Sequence, residues 1–203
     1  MVLFRYLLLN SKNWNYIMET NRYTSQVEFL KKEKEFIDSP QEETVIVVLN
    51  RTEAIYCEEG SCNIKYCQEN GIPYAKMPQG GGCIIGVSGN IFVNIKRKSL
   101  GKESYGDVFT KDFANHLKEI YNLSSVRCDN NDVLVDGFKI ASAVETTING
   151  WRYMSFQVSL NQDIETINKV CNKPMVKIPK ALKEYGITTS DMLSFIEQYW
   201  DNH

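Results

Sequence analysis

Residues 130–144 read NNDVLVDGFKIASAV. Two apolar runs flank Asp136-Gly137, and a two-residue type I′ turn needs positive φ at both central positions, which this pair supplies. With those residues as the turn, Val135 faces Phe138, Leu134 faces Lys139 and Asp132 faces Ala141. Opposed residues share a face of the ribbon, so Asp132 and Lys139 lie diagonally on one side, roughly 7–8 Å apart at the backbone. A carboxylate and an ammonium are therefore expected to project together from a stiff hairpin. The plain alternative is an exposed hairpin with a solvated lysine.

A second stretch, AKMPQGGGCIIGVSGN (75–90), sets three consecutive glycines between a polar turn and an apolar run. Glycine costs backbone entropy, and it suits a place where main-chain N–H groups approach a ligand closely. An ordinary flexible loop reads the same way.

Taken in order, the two stretches resemble the catalytic domain of lipoate-protein ligases, relatives of biotin-protein ligases. Gly80, Gly81, Gly82, Cys83, Ile84 and Ile85, closed by Gly89-Asn90, match the family's glycine loop. Asn131, Asp132, Gly137, Lys139 and Ile140 match its lysine segment. The helix and strand before the loop look like CNIKYCQENGIPYAK (62–76), Asn15 and Glu19 look like the first helix, and LNQDIETI (160–167) looks like the segment after the lysine. The resemblance covers most of residues 1–175. It departs at family arginines, where Lys76 keeps a cation and Met77 does not. Gln79 replaces a serine, Gly86-Val87 a His-Asp pair, and Val48-Leu49 a Trp-Arg pair.

The resemblance implies an α+β fold with a mixed, largely antiparallel sheet and packed helices, similar to the class II synthetase core. It implies one catalytic domain over 1–203, without the C-terminal domain of full-length ligases, whose place a separate accessory chain would take. It implies ATP-dependent activation of lipoate, or of octanoate or biotin, as an acyl-adenylate. Transfer then goes to a lysine of a lipoyl carrier domain in a 2-oxoacid dehydrogenase or glycine-cleavage-type protein. Lys139 would meet the charge that develops at the phosphate, and amides of Gly81, Gly82 and Cys83 would add to it. Lys76 would serve as a point charge in place of the lost arginine. Asn131 and Asp132 would hold the adenylate, with Asp132 a candidate magnesium ligand. Ile84, Ile85, Ile140 and Ala143 would line the acyl tunnel. Two other classes stay open: a cysteine-dependent octanoyl or lipoyl transferase using Cys171 or Cys83, and a non-catalytic acyl-binding domain.

Composition narrows the partners. The chain has 203 residues, 43% hydrophobic and 11% aromatic, enough for one sizeable core. A formal net charge of −2 gives no field favouring nucleic acid or an anionic membrane. MVLFRYLLLN (1–10) reads as a first strand and not as a signal peptide. No apolar run approaches the roughly 20 residues that span a bilayer. Six cysteines without a Cys-x-x-Cys pair fit reduced thiols in the cytoplasm better than zinc or disulfides.

Along the chain, strands are expected at 3–9, 44–50 and 54–57, and at 151–160. A hairpin is expected between 83–85 and 91–95. Helices are expected at 13–37, with KKEKE (31–35) as its solvated face, after a Ser61 cap to Glu69, and at 107–121, burying Val108, Phe109, Phe113, Leu117 and Ile120. Further helices are expected at 163–170, and over 180–200 with Thr189 or Ser190 near a cap. KRKSLGKES (96–104) reads as a basic loop.

Overall fold

The computed structural model describes residues 21–77, 82–98, 104–127, 131–173 and 177–201. The strand expected at 3–9, the start of the 13–37 helix with Asn15 and Glu19, and Gly80 and Gly81 lie outside the described residues. In chain order, strand β1 (Asn21–Tyr23) precedes helices α1 (Gln26–Lys31) and α2 (Glu33–Asp38). Strands β2 (Glu43–Val48) and β3 (Glu53–Tyr56), helix α3 (Ile64–Glu69), and strands β4 (Tyr74–Lys76), β5 (Cys83–Gly86) and β6 (Ile91–Lys98) follow. Helix α4 (Tyr105–Tyr121) leads to β7 (Ser125–Arg127), β8 (Asp132–Val135), β9 (Phe138–Ile148) and β10 (Trp151–Val158). Helices α5 (Ile164–Val170) and α6 (Thr189–Asp201) complete it.

The strands form a seven-stranded sheet, β1-β2-β6-β10-β9-β8-β7, and a three-stranded sheet, β4-β3-β5. Among the described residues of the larger sheet, β1 and β2 run parallel and the other neighbouring pairs antiparallel. This is the α+β architecture expected, and period-two alternation explains why both faces of the larger sheet are covered. Ile91, Val93 and Ile95 of β6 and Met154, Phe156 and Val158 of β10 meet Phe109, Phe113 and Leu117 of α4 and Met192 and Ile196 of α6. Phe109 packs edge-on to Phe156 at 4.7 Å. The intervening residues, Val45, Val47, Phe92 and Tyr153, meet Val27, Phe29 and Phe36 on the other face. Burying one such side chain stabilises the fold by about 1.5–3 kcal/mol. No described helix is long and apolar enough to cross a membrane.

Several local expectations change. The helix expected through residue 37 is interrupted: β1 comes first, and Lys32 separates α1 from α2. Ser25 caps α1 by accepting from Glu28 N, and the buried Glu53 carboxylate accepts from the Ser25 hydroxyl (2.5 Å) and Val27 N (3.0 Å). Within KKEKE, Glu33 turns inward and accepts the Tyr153 hydroxyl at 2.7 Å. Asn63, not Ser61, caps α3. Lys96 and Arg97 belong to β6 and are buried, not part of a loop; Lys96 Nζ donates to the carbonyls of Phe36 and Ser39.

β5 and β6 do not form the expected hairpin. β5 pairs with β3, β6 pairs with β2 and β10, and Ser88–Asn90 carries the chain from one sheet to the other. Val108 and Ile120 fall on the exposed side of α4. The 180–200 segment is a short 3-10 turn, Leu182–Tyr185, stopped at Gly186 (φ +78°), followed by α6. Thr188 caps α6 reciprocally with Asp191, one residue before the expected position.

Candidate functional site

The Asp136-Gly137 turn has φ values of 52° and 82°, so both central residues are left-handed as a type I′ turn requires. Val135 pairs with Phe138 and Leu134 with Lys139, as the spacing predicts. The register then shifts: Val133 pairs with Ala141 and Asp132 with Ser142, not with Ala141. Ile140 is the extra residue of this bulge, which bends and re-aims the strand. Lys139 and Asp132 still converge, with Nζ 2.8 Å from Oδ1.

A connection from much later in the chain completes the group. β10 ends at Val158 opposite Ala141, so the outward backbone groups of Lys139 need another partner. Lys139 N donates to the Ile178 carbonyl (3.0 Å), and Lys180 N donates to the Lys139 carbonyl (3.0 Å). That pairing brings Lys177 beside Lys139, and its Nζ lies 2.7 Å from Asp132 Oδ2. The Asp132 side chain is 6% exposed, those of Lys139 and Lys177 35% and 28%.

These side chains line a cavity of about 360 Å³ between the two sheets. Its walls come from β5 (Cys83, Ile84, Ile85), the end of β10 (Gln157, Ser159), α5 and its ends (Gln162, Ile167, Cys171), and the segment carrying Lys177 and Pro179. One side is apolar and the other carries the charges, a division suited to a chain with an anionic head. Gln162 Oε1 is buried without a hydrogen-bond partner among the described residues.

Cys171 and Cys83 meet in this wall. The Cys171 thiol also approaches the Cys83 carbonyl at 3.6 Å. Hydrogen bonding from Cys83 holds the Cys171 thiol below its ordinary value, against the opposing effect of burial. The same bond, with burial, pushes Cys83 upward. Behind them, Cys62 and Cys67 lie with sulfurs 3.9 Å apart, and burial pushes Cys67 up to about 12. The described residues hold no group of three or more His, Cys, Asp or Glu placed to bind a metal ion.

Of the residues singled out in the sequence, the cavity joins Lys139, Asp132, Cys83, Ile84, Ile85 and Cys171. It leaves out others. Lys76 ends an edge strand of the small sheet and pairs with exposed Glu59 at 3.5 Å. Gly82 accepts from Cys57 N through its carbonyl. The Asn131 side chain lies against Gly106 at the start of α4. Ile140 and Ala143 belong to the main core, because the bulge and the alternation of β9 turn them there and not toward the tunnel. Asp132 does not fit a resident magnesium: each oxygen already meets an ammonium, which repels a divalent ion. No local pattern marks Lys177, Gln157 or Ser159 as site residues, and Gln162 falls in the 160–167 stretch that the resemblance covers without assigning it a role.

A family model described as the lipoyl protein ligase A/B catalytic domain matches residues 41–199. A lipoate–protein ligase of Streptococcus pyogenes is 28% identical over 119 residues, 57% of this chain and 34% of that protein. The chain thus aligns with about a third of that relative's length. Among solved structures, P. falciparum LipL1 in complex with lipoate has a TM-score of 0.69 at 16% identity, covering 91% of this chain and 62% of that one. A lipoate-protein ligase A bound with ATP has a TM-score of 0.66 at 15% identity, covering 87% and 82%. A bipartite lipoate protein ligase, described with its E2 lipoyl domain from Thermoplasma acidophilum, has a TM-score of 0.60 at 16% identity, covering 78% and 68%. At these identities the structural likeness is one of fold.

Proposed function

This chain belongs to the family of lipoyl protein ligase A/B catalytic domains, and from that premise we propose that it activates lipoate or a related fatty acid with ATP and transfers the acyl group to a carrier-protein lysine. The observation that carries this reading is the Lys139 ammonium, anchored 2.8 Å from Asp132 and facing the same cavity as Ile84, Ile85 and Ile167.

In the first step a carboxylate oxygen of the acid attacks the α-phosphorus of ATP. The bond to the β-phosphate oxygen breaks and pyrophosphate leaves. In the second, a neutral lysine amine attacks the acyl carbonyl, the carbonyl–phosphate bond breaks, AMP leaves and the amine sheds a proton. Both steps gather negative charge on one phosphate. A fixed ammonium in a partly dry site stabilises that charge most where it grows. Lys139 has this role, and the apolar wall takes the acyl chain. The backbone around Cys83 and the carboxamide of Gln162 offer polar contacts to the nucleotide.

The acceptor in this reading is the lipoyl domain of a 2-oxoacid dehydrogenase or glycine-cleavage-type protein. The archaeal neighbour described with its E2 lipoyl domain supports it, and its bipartite make-up supports a separate accessory chain as a partner. The free thiols Cys57, Cys62, Cys67, Cys83 and Cys171 suit a reducing compartment such as the cytoplasm. The test is incubation of the purified chain with ATP, lipoate and a lipoyl domain, followed by intact mass and pyrophosphate release. Addition of one lipoyl group that requires ATP is expected. Absence of both acylation and pyrophosphate release, with an accessory chain supplied, would reject the reading.

A further inference from the structure

We propose that Lys177 is a second phosphate-binding cation of this site, and that Asp132 positions both lysines instead of holding a metal. The inference rests on the acyl-adenylate reading above.

Asp132, Lys139 and Lys177 are the charged side chains lining the cavity among the described residues, and two ammoniums with one carboxylate leave a net charge of +1. An acyl-adenylate carries one negative charge on its phosphate, so the wall matches that intermediate. Each lysine sits on a different oxygen of one buried carboxylate, which holds the two ammoniums side by side within reach of a single phosphate group. Both are partly exposed, and both line the cavity. Pairing a carboxylate with two cations is far less costly where an anion arrives to complete the set.

Backbone structure makes the placement rigid. Ile178 and Lys180 are tied to Lys139 by two main-chain hydrogen bonds, so Lys177 is registered against the catalytic strand. Lys76, the cation the sequence offered for this work, is directed to Glu59 and does not line the cavity. Lys177 therefore supplies the second charge from 45 residues beyond Asp132 in the chain.

The test uses lipoyl-sulfamoyl-adenosine, a stable mimic bearing one negative charge, titrated calorimetrically without magnesium into the wild-type chain and into Lys177→Met, Lys177→Arg and Lys139→Met. Lys177→Met is expected to weaken binding about 10- to 100-fold, the size of a charge-assisted hydrogen bond. Lys177→Arg, which keeps the charge, is expected to recover most of it, which a merely structural role for the ammonium would not predict. Binding by Lys177→Met within twofold of wild type, while Lys139→Met loses it, overturns this inference and leaves the ligase reading standing. Failure of wild type to bind the mimic overturns both. In a parallel arm, Asp132→Asn is expected to slow ATP–pyrophosphate exchange while leaving its half-saturating magnesium concentration unchanged. A sharply raised requirement would assign the carboxylate to the metal and overturn the positioning role.

Discussion

Lys139 Nζ stands 2.8 Å from Asp132 Oδ1 across a register shift in the β8–β9 ribbon. The carboxylate is nearly buried and the ammonium is not, so the pair fixes the direction of a charge that a ligand can still reach. Its contribution is orientation more than stability.

Lys139→Ala is expected to fold, because its side chain belongs to none of the core clusters, and to lower acyl-adenylate formation by about 100- to 1,000-fold. Pyrophosphate release, with thermal melting as a folding control, measures both. Turnover within a few-fold of wild type would remove Lys139 from the chemistry.

Asp132→Ala leaves two ammoniums close together without their shared carboxylate. The fold should lose about 1–2 kcal/mol, at the low end for a broken pair because both lysines are partly solvated. Urea denaturation measures the loss, and added salt should recover part of it by screening the repulsion.

His116 stacks on Phe195 at a centroid distance of 4.1 Å, and its buried Nε2 has no hydrogen-bond partner. Burial lowers its imidazole below the ordinary value, with Glu119 opposing. The neutral ring is thus the one the fold favours. Its contribution is fully present above the unfolded value of about 6.5 and is lost as pH falls from there toward the depressed folded value, because the unfolded chain takes up the proton first. Melting temperatures from pH 7.5 down to 5 should fall less steeply in His116→Gln than in wild type.

Gly86 stands where the resembling family has histidine. A Cβ there would come within 2.3 Å of Leu49 Cδ1 and 3.0 Å of Phe92 Cε2. Gly86→Ala should therefore destabilise the chain by about 1–3 kcal/mol, an overpacking cost. Leu49→Ala introduced with it should relieve the clash, so the double variant should fall short of the sum of the single losses in a denaturation cycle.

Cys171→Ser should keep ATP-dependent transfer within about threefold, since the proposed route forms no thioester and the half-buried Cys171 thiol acts chiefly as a small packed group. Loss of transfer with continued adenylate formation would instead place the acyl group on this sulfur.

Much of the architecture could be read locally. Apolar runs at β2, β6 and β10 alternate two faces, Asp136-Gly137 favours a tight turn, and the helix expected to start at Asp163 runs from Ile164 with Asp163 as its cap. Local pattern misleads where distant partners override it. Glu33 reads as solvated until Tyr153 is beneath it, and Lys96 reads as loop until the Phe36 and Ser39 carbonyls receive it. Met77, Leu49 and Val87 replace polar family residues with apolar ones, a change visible in the letters; only packing shows that all three are buried, Met77 and Leu49 in one core cluster and Val87 in another.

The residues alone determined a type I′ hairpin, the family likeness and a lysine diagonal to an aspartate, because these follow from backbone sterics and short spacing. Tertiary structure decided which cation joins them. Lys177 is placed by hydrogen bonds from a segment about forty residues away to the outward edge of Lys139, and such pairing has no periodic signature. It likewise decided that Ala143 faces the core, since one bulged residue changes which side of a strand each later side chain occupies.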